Sequence, residues 1–173
     1  LQILSEQNVN NIELITKDII SLPEGVSIAI LDVQKRIVFT NIFSRKIIFD
    51  KIGRLEYEFK VVAGESGYVD QMIKDLLEVI PDNFTLSKNY PNPFNPVTNL
   101  DFSIPKRSNV TLRVFNMMGQ EVVTLINEKK SYGNYSTSWN GLDSKGVNVA
   151  SGVYFAELRT RNERRITKML LLK

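Results

Sequence analysis

Leu55, Tyr57, Phe59 and Val61 alternate with Glu56, Glu58 and Lys60 in "LEYEFKV". Successive strand side chains point to opposite faces, so this period of two with one charged face predicts a half-buried antiparallel strand. "VSIAILD" (26–32), "RIVFT" (36–40) and "RKIIFD" (45–50) are rich in β-branched and aromatic residues and predict three more. "NIELITKDI" (11–19) reads as a fifth. "DKIG" (50–53), with Asp first and Gly fourth, has the preferred order of a type I turn. About five strands are fewer than the roughly seven of a free-standing sandwich. The expectation is a partial β-sandwich unit over residues 1–65, one that has lost its opening strands or borrows a neighbour's.

The period then changes. In "SGYVDQMIKDLLEVIP" (66–81), Tyr68, Met72, Ile73, Leu76, Leu77 and Ile80 recur at helical spacing. Ser66 can cap the start, Asp70 suits the first turn and Pro81 ends the run. A linker helix is expected within 66–83. "NYPNPFNPVT" (89–98) follows, with Pro91, Pro93 and Pro96. Each proline fixes φ, removes a backbone donor and pushes the residue before it (Tyr90, Asn92, Asn95) toward extended geometry. Such a segment is neither a helix nor a central strand, and a floppy linker would use Gly and Ser instead. It reads as a stiff, extended lead-in, pinned by Tyr90 and Phe94 to the unit that follows.

Beyond it, "TNLDFSI" (98–104), "NVTLRVFN" (109–116), "QEVVTLI" (120–126), "NYSTSWN" (134–140), "GVYFAELRT" (152–160) and "RRITKMLLL" (164–172) predict six strands. Gly119, Gly133 and the Asp-first, Gly-fourth "DSKG" (143–146) mark turns between them. Short strands at close intervals argue a sandwich. The fold class expected is therefore all-β: two Ig-like or fibronectin-like sandwich units joined by a short helix and a proline-rich linker.

Composition narrows the chemistry. Apolar residues make up 43%, which suits a globular core. No apolar run approaches the roughly 18 residues of a membrane helix. The chain has no Cys and no His, which removes thiol and imidazole catalysis, thiolate metal sites and disulfides. It begins Leu1-Gln2, which reads as a trimmed or processed piece of a longer protein. Charge is divided unevenly: 9 Lys/Arg against 12 Asp/Glu before Pro81, and 13 against 7 from there on. The two parts carry −3 and +6, as expected of two units.

"LSKNYPNPFNPVT", "VTLRVFNMMGQEVVTL", "WNGLDSKGVNVASGVYFAEL" and "TKMLLLK" occur in that order. Together they resemble the C-terminal sorting domain, type A, of the type IX secretion system, over about residues 84–173. The same blocks are similar to the Ig-like domain of the flagellar hook-capping protein, a relation that speaks to fold more than role. The resemblance implies an address label that takes a protein across the outer membrane to the cell surface or the extracellular space. It implies partners in the outer-membrane translocon and its sortase components, and attachment of the cargo to lipopolysaccharide. Carried over by position, the sorting signal is Gly152, Val153 and Tyr154 with Lys168, Met169, Leu170, Leu171, Leu172 and Lys173. The linker motif is Tyr90, Pro91, Asn92, Pro93, Phe94, Asn95 and Pro96. No enzyme, metal, cofactor or nucleic-acid partner is expected. The alternative is a structural subunit of an extracellular stalk, adhesin or filament, pairing with copies of itself by strand exchange.

Sharper chemical readings meet blander ones. Glu56 and Glu58 form a conceivable acid–base pair, but alternate with core positions as a solvated face does. Asn140, Asp143, Ser144 and Asn148 offer hard oxygens for calcium without its spaced carboxylates, and a turn on Asp143 and Gly146 is preferred. Tyr132, Tyr135 and Trp139 suggest a glycan platform, yet the single Trp of a small sandwich is more often core. Arg159, Arg161, Arg164, Arg165 and Lys168 make a basic hairpin without aromatic interleaving, which favours a solvated hairpin or a docking patch for acidic machinery or lipopolysaccharide phosphate. "MLLL" reads as an interior strand, or as a signal whose terminal edge adds to a partner's sheet.

Overall fold

In the computed structural model, side chains are described for residues 21–40, 42 and 58–173, and the backbone also for strands β1 (Gln2–Leu4), β2 (Asn11–Ile15) and β5 (Lys46–Asp50). The expected "DKIG" turn and Glu56 lie outside the described residues. Contacts divide the chain into Leu1–Glu78 and Val79–Lys173. Among the described residues, every pair of strands is antiparallel.

The first unit holds two three-stranded sheets, ordered β1-β2-β5 and β4-β3-β6. Here β3 is Val26–Asp32, β4 Ile37–Thr40 and β6 Phe59–Glu65. Ala29, Ile30 and Leu31 are consecutive and all buried, as a central strand covered on both faces requires. Ile30 and Ile42 centre a small cluster with Ile28, Phe39 and Phe59. Glu58 pairs with Lys60 at 3.4 Å and stands alone of the proposed carboxylate pair among the described residues.

The helix α1 (Ser66–Val79) follows β6 directly. Its buried stripe is Val69 and Ile73, flanked by half-buried Met72, Leu76 and Leu77. Tyr68, expected on that stripe, is 55% exposed. The spacing 69, 72, 73, 76 keeps one face at 3.6 residues per turn, and residue 68 falls outside it. Ser66 does not cap the helix through its side-chain oxygen. Its hydroxyl and its N–H both donate to the Gly25 carbonyl, at 3.0 and 2.8 Å, tying the helix start to the turn before β3. Asp70 lies beyond the first turn for the same reason: the helix begins at Ser66 itself.

The second unit is a sandwich. One sheet is β11-β8-β7, with β7 Thr85–Leu86, β8 Thr98–Ile104 and β11 Gly133–Trp139. The other is β10-β9-β12-β13, with β9 Ser108–Asn116, β10 Glu121–Lys130, β12 Gly152–Arg159 and β13 Arg164–Leu171. Alternation builds the interior. Leu100, Phe102 and Ile104 from β8 meet Val110, Leu112 and Val114 from β9, with Ala156, Leu158, Met169 and Leu171 beside them. All ten are 2% exposed or less. Their intervening neighbours lie on the alternate face, where Glu157 alone among them is also buried.

Candidate functional site

The proline segment does more than lead into the sandwich. Tyr90 bridges Asn99, continuing along β8 the edge that β7 begins. Bends at residues 91–93 then carry the chain across to the other sheet. There Phe94 forms a parallel bridge with Leu171 of β13. The segment is thus bent, not a single extended run, and it serves both sheets in turn.

Side chains hold the crossing. Phe94 is buried, whereas Tyr90, expected to pin the segment beside it, is 78% exposed. Its place is taken by Asn89, whose Nδ2 donates to the Pro91 carbonyl at 3.0 Å and to Thr98 Oγ1 at 2.9 Å. Thr98 Oγ1 donates onward to the Pro91 carbonyl at 2.8 Å. Asn89 and Thr98 are buried polar residues, and these bonds satisfy the Asn89 Nδ2 and the Thr98 hydroxyl, while the Asn89 Oδ1 has no partner among the described residues.

The strap ends on β13. Asn92 acts as a backbone mimic: its Nδ2 donates to the Lys168 carbonyl at 3.2 Å, and its Oδ1 accepts from the Leu170 N–H at 3.0 Å. Phe94 continues the ladder, its N–H donating to the Leu170 carbonyl and its carbonyl accepting from the Leu172 N–H, both at 3.0 Å. The expectation of an interior strand for "MLLL" is corrected here: β13 is the last strand of its sheet. Its apolar run has another cause. Met169 and Leu171 face the core, while Leu170 and Leu172 lie on the alternate face. An edge strand's bare N–H and C=O groups invite pairing with other chains, and the proline segment covers those from the Lys168 carbonyl to the Leu172 N–H.

Gly152, Val153 and Tyr154 open β12 and sit opposite Leu171, Leu170 and Met169. The two stretches assigned to the signal, far apart in sequence, are therefore neighbouring strands, and the linker motif is the next layer outward. Beneath them is an aromatic cluster. Trp139 lies 5.5 Å from Phe94 and 5.0 Å, edge-on, from Tyr154, centroid to centroid. The Tyr154 hydroxyl donates to the Ala150 carbonyl at 2.8 Å, and burial pushes its pKa above the ordinary 10.0. Lys173 closes the corner: its N–H donates to Ser151 Oγ at 3.0 Å, and its Nζ reaches Asn148 Oδ1 and the Val149 carbonyl.

Other chemical readings fall away on these contacts. Trp139 is 1% exposed and donates its Nε1 proton to the Leu142 carbonyl at 2.9 Å, so it is core and not a glycan platform. Tyr135 stacks on Phe102. The Asp143 carboxylate accepts from the N–H groups of Lys145 and Val147 at 2.9 Å each, which makes it a turn builder. Asn89, Thr98 and the capping role of Asn92 were missed in the sequence, where each Asn reads as generic turn chemistry.

Residues 88–173 match the family model of the secretion system C-terminal sorting domain. No curated protein matches the chain. Among solved structures it is similar to PorZ of Porphyromonas gingivalis, described as an essential bacterial surface component of the type IX secretion system, at 16% identity and a TM-score of 0.37 over 53% of this chain and 12% of that one. It is similar to FlgD from P. aeruginosa at 19% identity and a TM-score of 0.38, over 50% of this chain and 68% of that one. It is similar to dimeric latent PorU of P. gingivalis at 13% identity and a TM-score of 0.42, over 94% of this chain and 18% of that one. Residues 88–173 are therefore a type IX secretion C-terminal sorting domain, a non-catalytic module whose bearers are exported across the outer membrane to the cell surface or the extracellular space.

Proposed function

We propose that the strapped end of the sandwich is the surface by which the sorting module is recognised. That surface comprises Gly152–Val153–Tyr154, Lys168–Lys173 and the proline segment. One observation carries the reading: Asn92, 76 residues before Lys168 in sequence, takes up the Lys168 carbonyl and the Leu170 N–H on the outer edge of β13. A folded signal has to present one shape, and the strap holds that shape by fixing the outer edge of β13. The outer-membrane translocon and its sortase components are the partners this reading requires, with surface anchoring of the cargo as the outcome.

The test is localisation of a reporter. Residues 84–173 are fused behind a signal-peptide-bearing fluorescent protein in a type IX-competent bacterium. The intact fusion is expected at the cell surface, and one lacking residues 168–173 in the periplasm. Retention of both in the periplasm would leave the module a fold without this role.

A second reading, a structural subunit that pairs with copies of itself, draws on β11. This seven-residue edge strand has no charge, no proline and an unbroken register with β8. Edges are ordinarily blunted by such devices. Sedimentation of the chain as a monomer at all concentrations would count against it.

A further inference from the structure

The strap covers only part of β13. In an antiparallel ladder, alternate residues turn both N–H and C=O to the same side. The outward residues are fixed by the bonds of Leu170 and Leu172 to the strap. Counting back, Lys168 and Ile166 face outward too. The Lys168 carbonyl is taken by Asn92. The Lys168 N–H and both backbone groups of Ile166 meet no partner among the described residues. Ile166 is 50% exposed. The neighbouring β7 pairs with β8 and forms no ladder with β13.

This open stretch is strongly basic. Residues 159–168 hold Arg159, Arg161, Arg164, Arg165 and Lys168 against Glu163 alone. Arg159 stands directly opposite Arg164 across the hairpin. Like charges directly opposite one another destabilise a sheet, so the fold itself gains nothing from this pair. Arg164 is relieved by the buried carboxylate of Glu157, and Arg165 lies 4.0 Å from Glu163 and over the Phe84 ring. Arg159, Arg161 and Lys168 have no ion-pair partner among the described residues. A hollow of about 230 Å³, lined by Arg159 to Arg164, opens at the hairpin tip.

We propose that Arg164–Lys168 accepts an extended acidic segment of a partner protein as an added strand. The inference rests on the reading of this end of the module as its recognised part, and names the chemistry of the partner. The free Ile166 and Lys168 groups supply the ladder, and Arg159, Arg161 and Lys168 meet carboxylates on alternate residues. A simple phosphate fits less well. One compact anion cannot meet the Ile166 N–H, the Ile166 carbonyl and the Lys168 N–H together, because they are spread over two residues of strand, about 7 Å.

The probe is a fluorescein-labelled peptide of alternating Glu and Val, added to the full chain. Its partners in the experiment are a Gln-for-Glu version, an equally acidic peptide interrupted by prolines, inorganic phosphate, and phosphatidylglycerol vesicles. The Glu–Val peptide is expected to bind and to slow amide exchange at Ile166 and Lys168. R159E/R161E is expected to weaken it about tenfold or more. Ile166→Pro is expected to abolish it, with Leu170 amide protection as the check that β13 is still folded. Absence of binding, equal binding of the proline-interrupted peptide, or unchanged exchange at Ile166 and Lys168 would each overturn the added strand. Tighter binding to vesicles or phosphate would overturn it in favour of an anion surface. Export of the reporter without peptide binding removes this inference alone. Peptide binding without export removes the sorting role and leaves the docking strand.

Discussion

Replacing Phe94 by Ala separates a proline segment that belongs to the sandwich from one that merely precedes it. Phe94 is 2% exposed and in contact with the Trp139 ring. A Phe side chain buries roughly 150–250 Å², which at about 25 cal/mol per Å² is about 4–6 kcal/mol of gross transfer energy. Alanine keeps part of that area, and core Phe→Ala changes cost about 3–5 kcal/mol. The aromatic pair with Trp139 contributes about 0.5–1.5 kcal/mol beyond area. The backbone bonds of residue 94 to Leu170 and Leu172 need no side chain, so they do not enter the difference. The expected loss is therefore about 4 kcal/mol, large against the roughly 5–15 kcal/mol that holds a whole domain. Denaturant titration followed by Trp139 fluorescence measures it. Trp139 is the chain's one Trp and lies in the second unit, so the signal follows that unit without assuming that both unfold together. Phe94→Leu keeps most of the apolar volume and is expected to cost about 1.5 kcal/mol or less. A Phe94→Ala protein within about 1 kcal/mol of the parent would sink the view that the strap is core.

Asn92→Ala removes two solvent-exposed bonds, so a cost of about 1 kcal/mol is expected; its signature is faster amide exchange at Leu170 while Leu172 stays slow, and equal change at both would contradict the assigned bonds. Asn89→Asp replaces the Nδ2 donor facing Pro91 and Thr98 with a buried carboxylate oxygen, and a loss of about 3 kcal/mol in the same titration is expected. Gly141 has φ +70°, and an added Cβ would lie 3.4 Å from both Leu171 Cδ2 and the Pro96 carbonyl. Gly141→Ala should therefore lower the melting temperature by a cost of about 1–2 kcal/mol, and an unchanged midpoint would refute this. Tyr154 has a folded pKa raised above its unfolded value, so its contribution is present below pH 10.0 and is lost as pH rises through the folded pKa. Tyr154→Phe should flatten the fall in stability above that pH, and an equally steep fall in the variant would assign it to other groups.

The strands were legible because alternation is local. Residues 98–104 and 164–171 show their inward and outward positions without any partner in view. What lay beyond reach depended on neighbours in space. The four apolar residues from Met169 read as an interior strand, because strand order within a sheet is not written in any one strand. Asn89 and Asn92 look alike in sequence, yet one is buried by bonds to Pro91 and Thr98 and the other grips β13. Only the first member of the helix stripe was placed one residue early, since Tyr68 and Val69 are both apolar and only the packed face chooses between them. Trp139 was read rightly as core because a lone, large aromatic in a small sandwich has few other places to go.

Asn92 reaches across 76 residues to Lys168 and 78 to Leu170, and this separation sets an order in time. The equilibrium cost of so long a closure grows only with the logarithm of its length. Its rate is another matter, because distant pairings form after the local ones that bring them together. On this ground the strap is expected to dock last, after β13 is laid against β12. A chain interrupted before Lys168 offers Asn92 and Phe94 nothing to hold, and the aromatic cluster stays open on one side. Completeness of the sequence through Leu172 thus becomes a property of the folded surface, one that a machine meeting the module from outside could read without unfolding it.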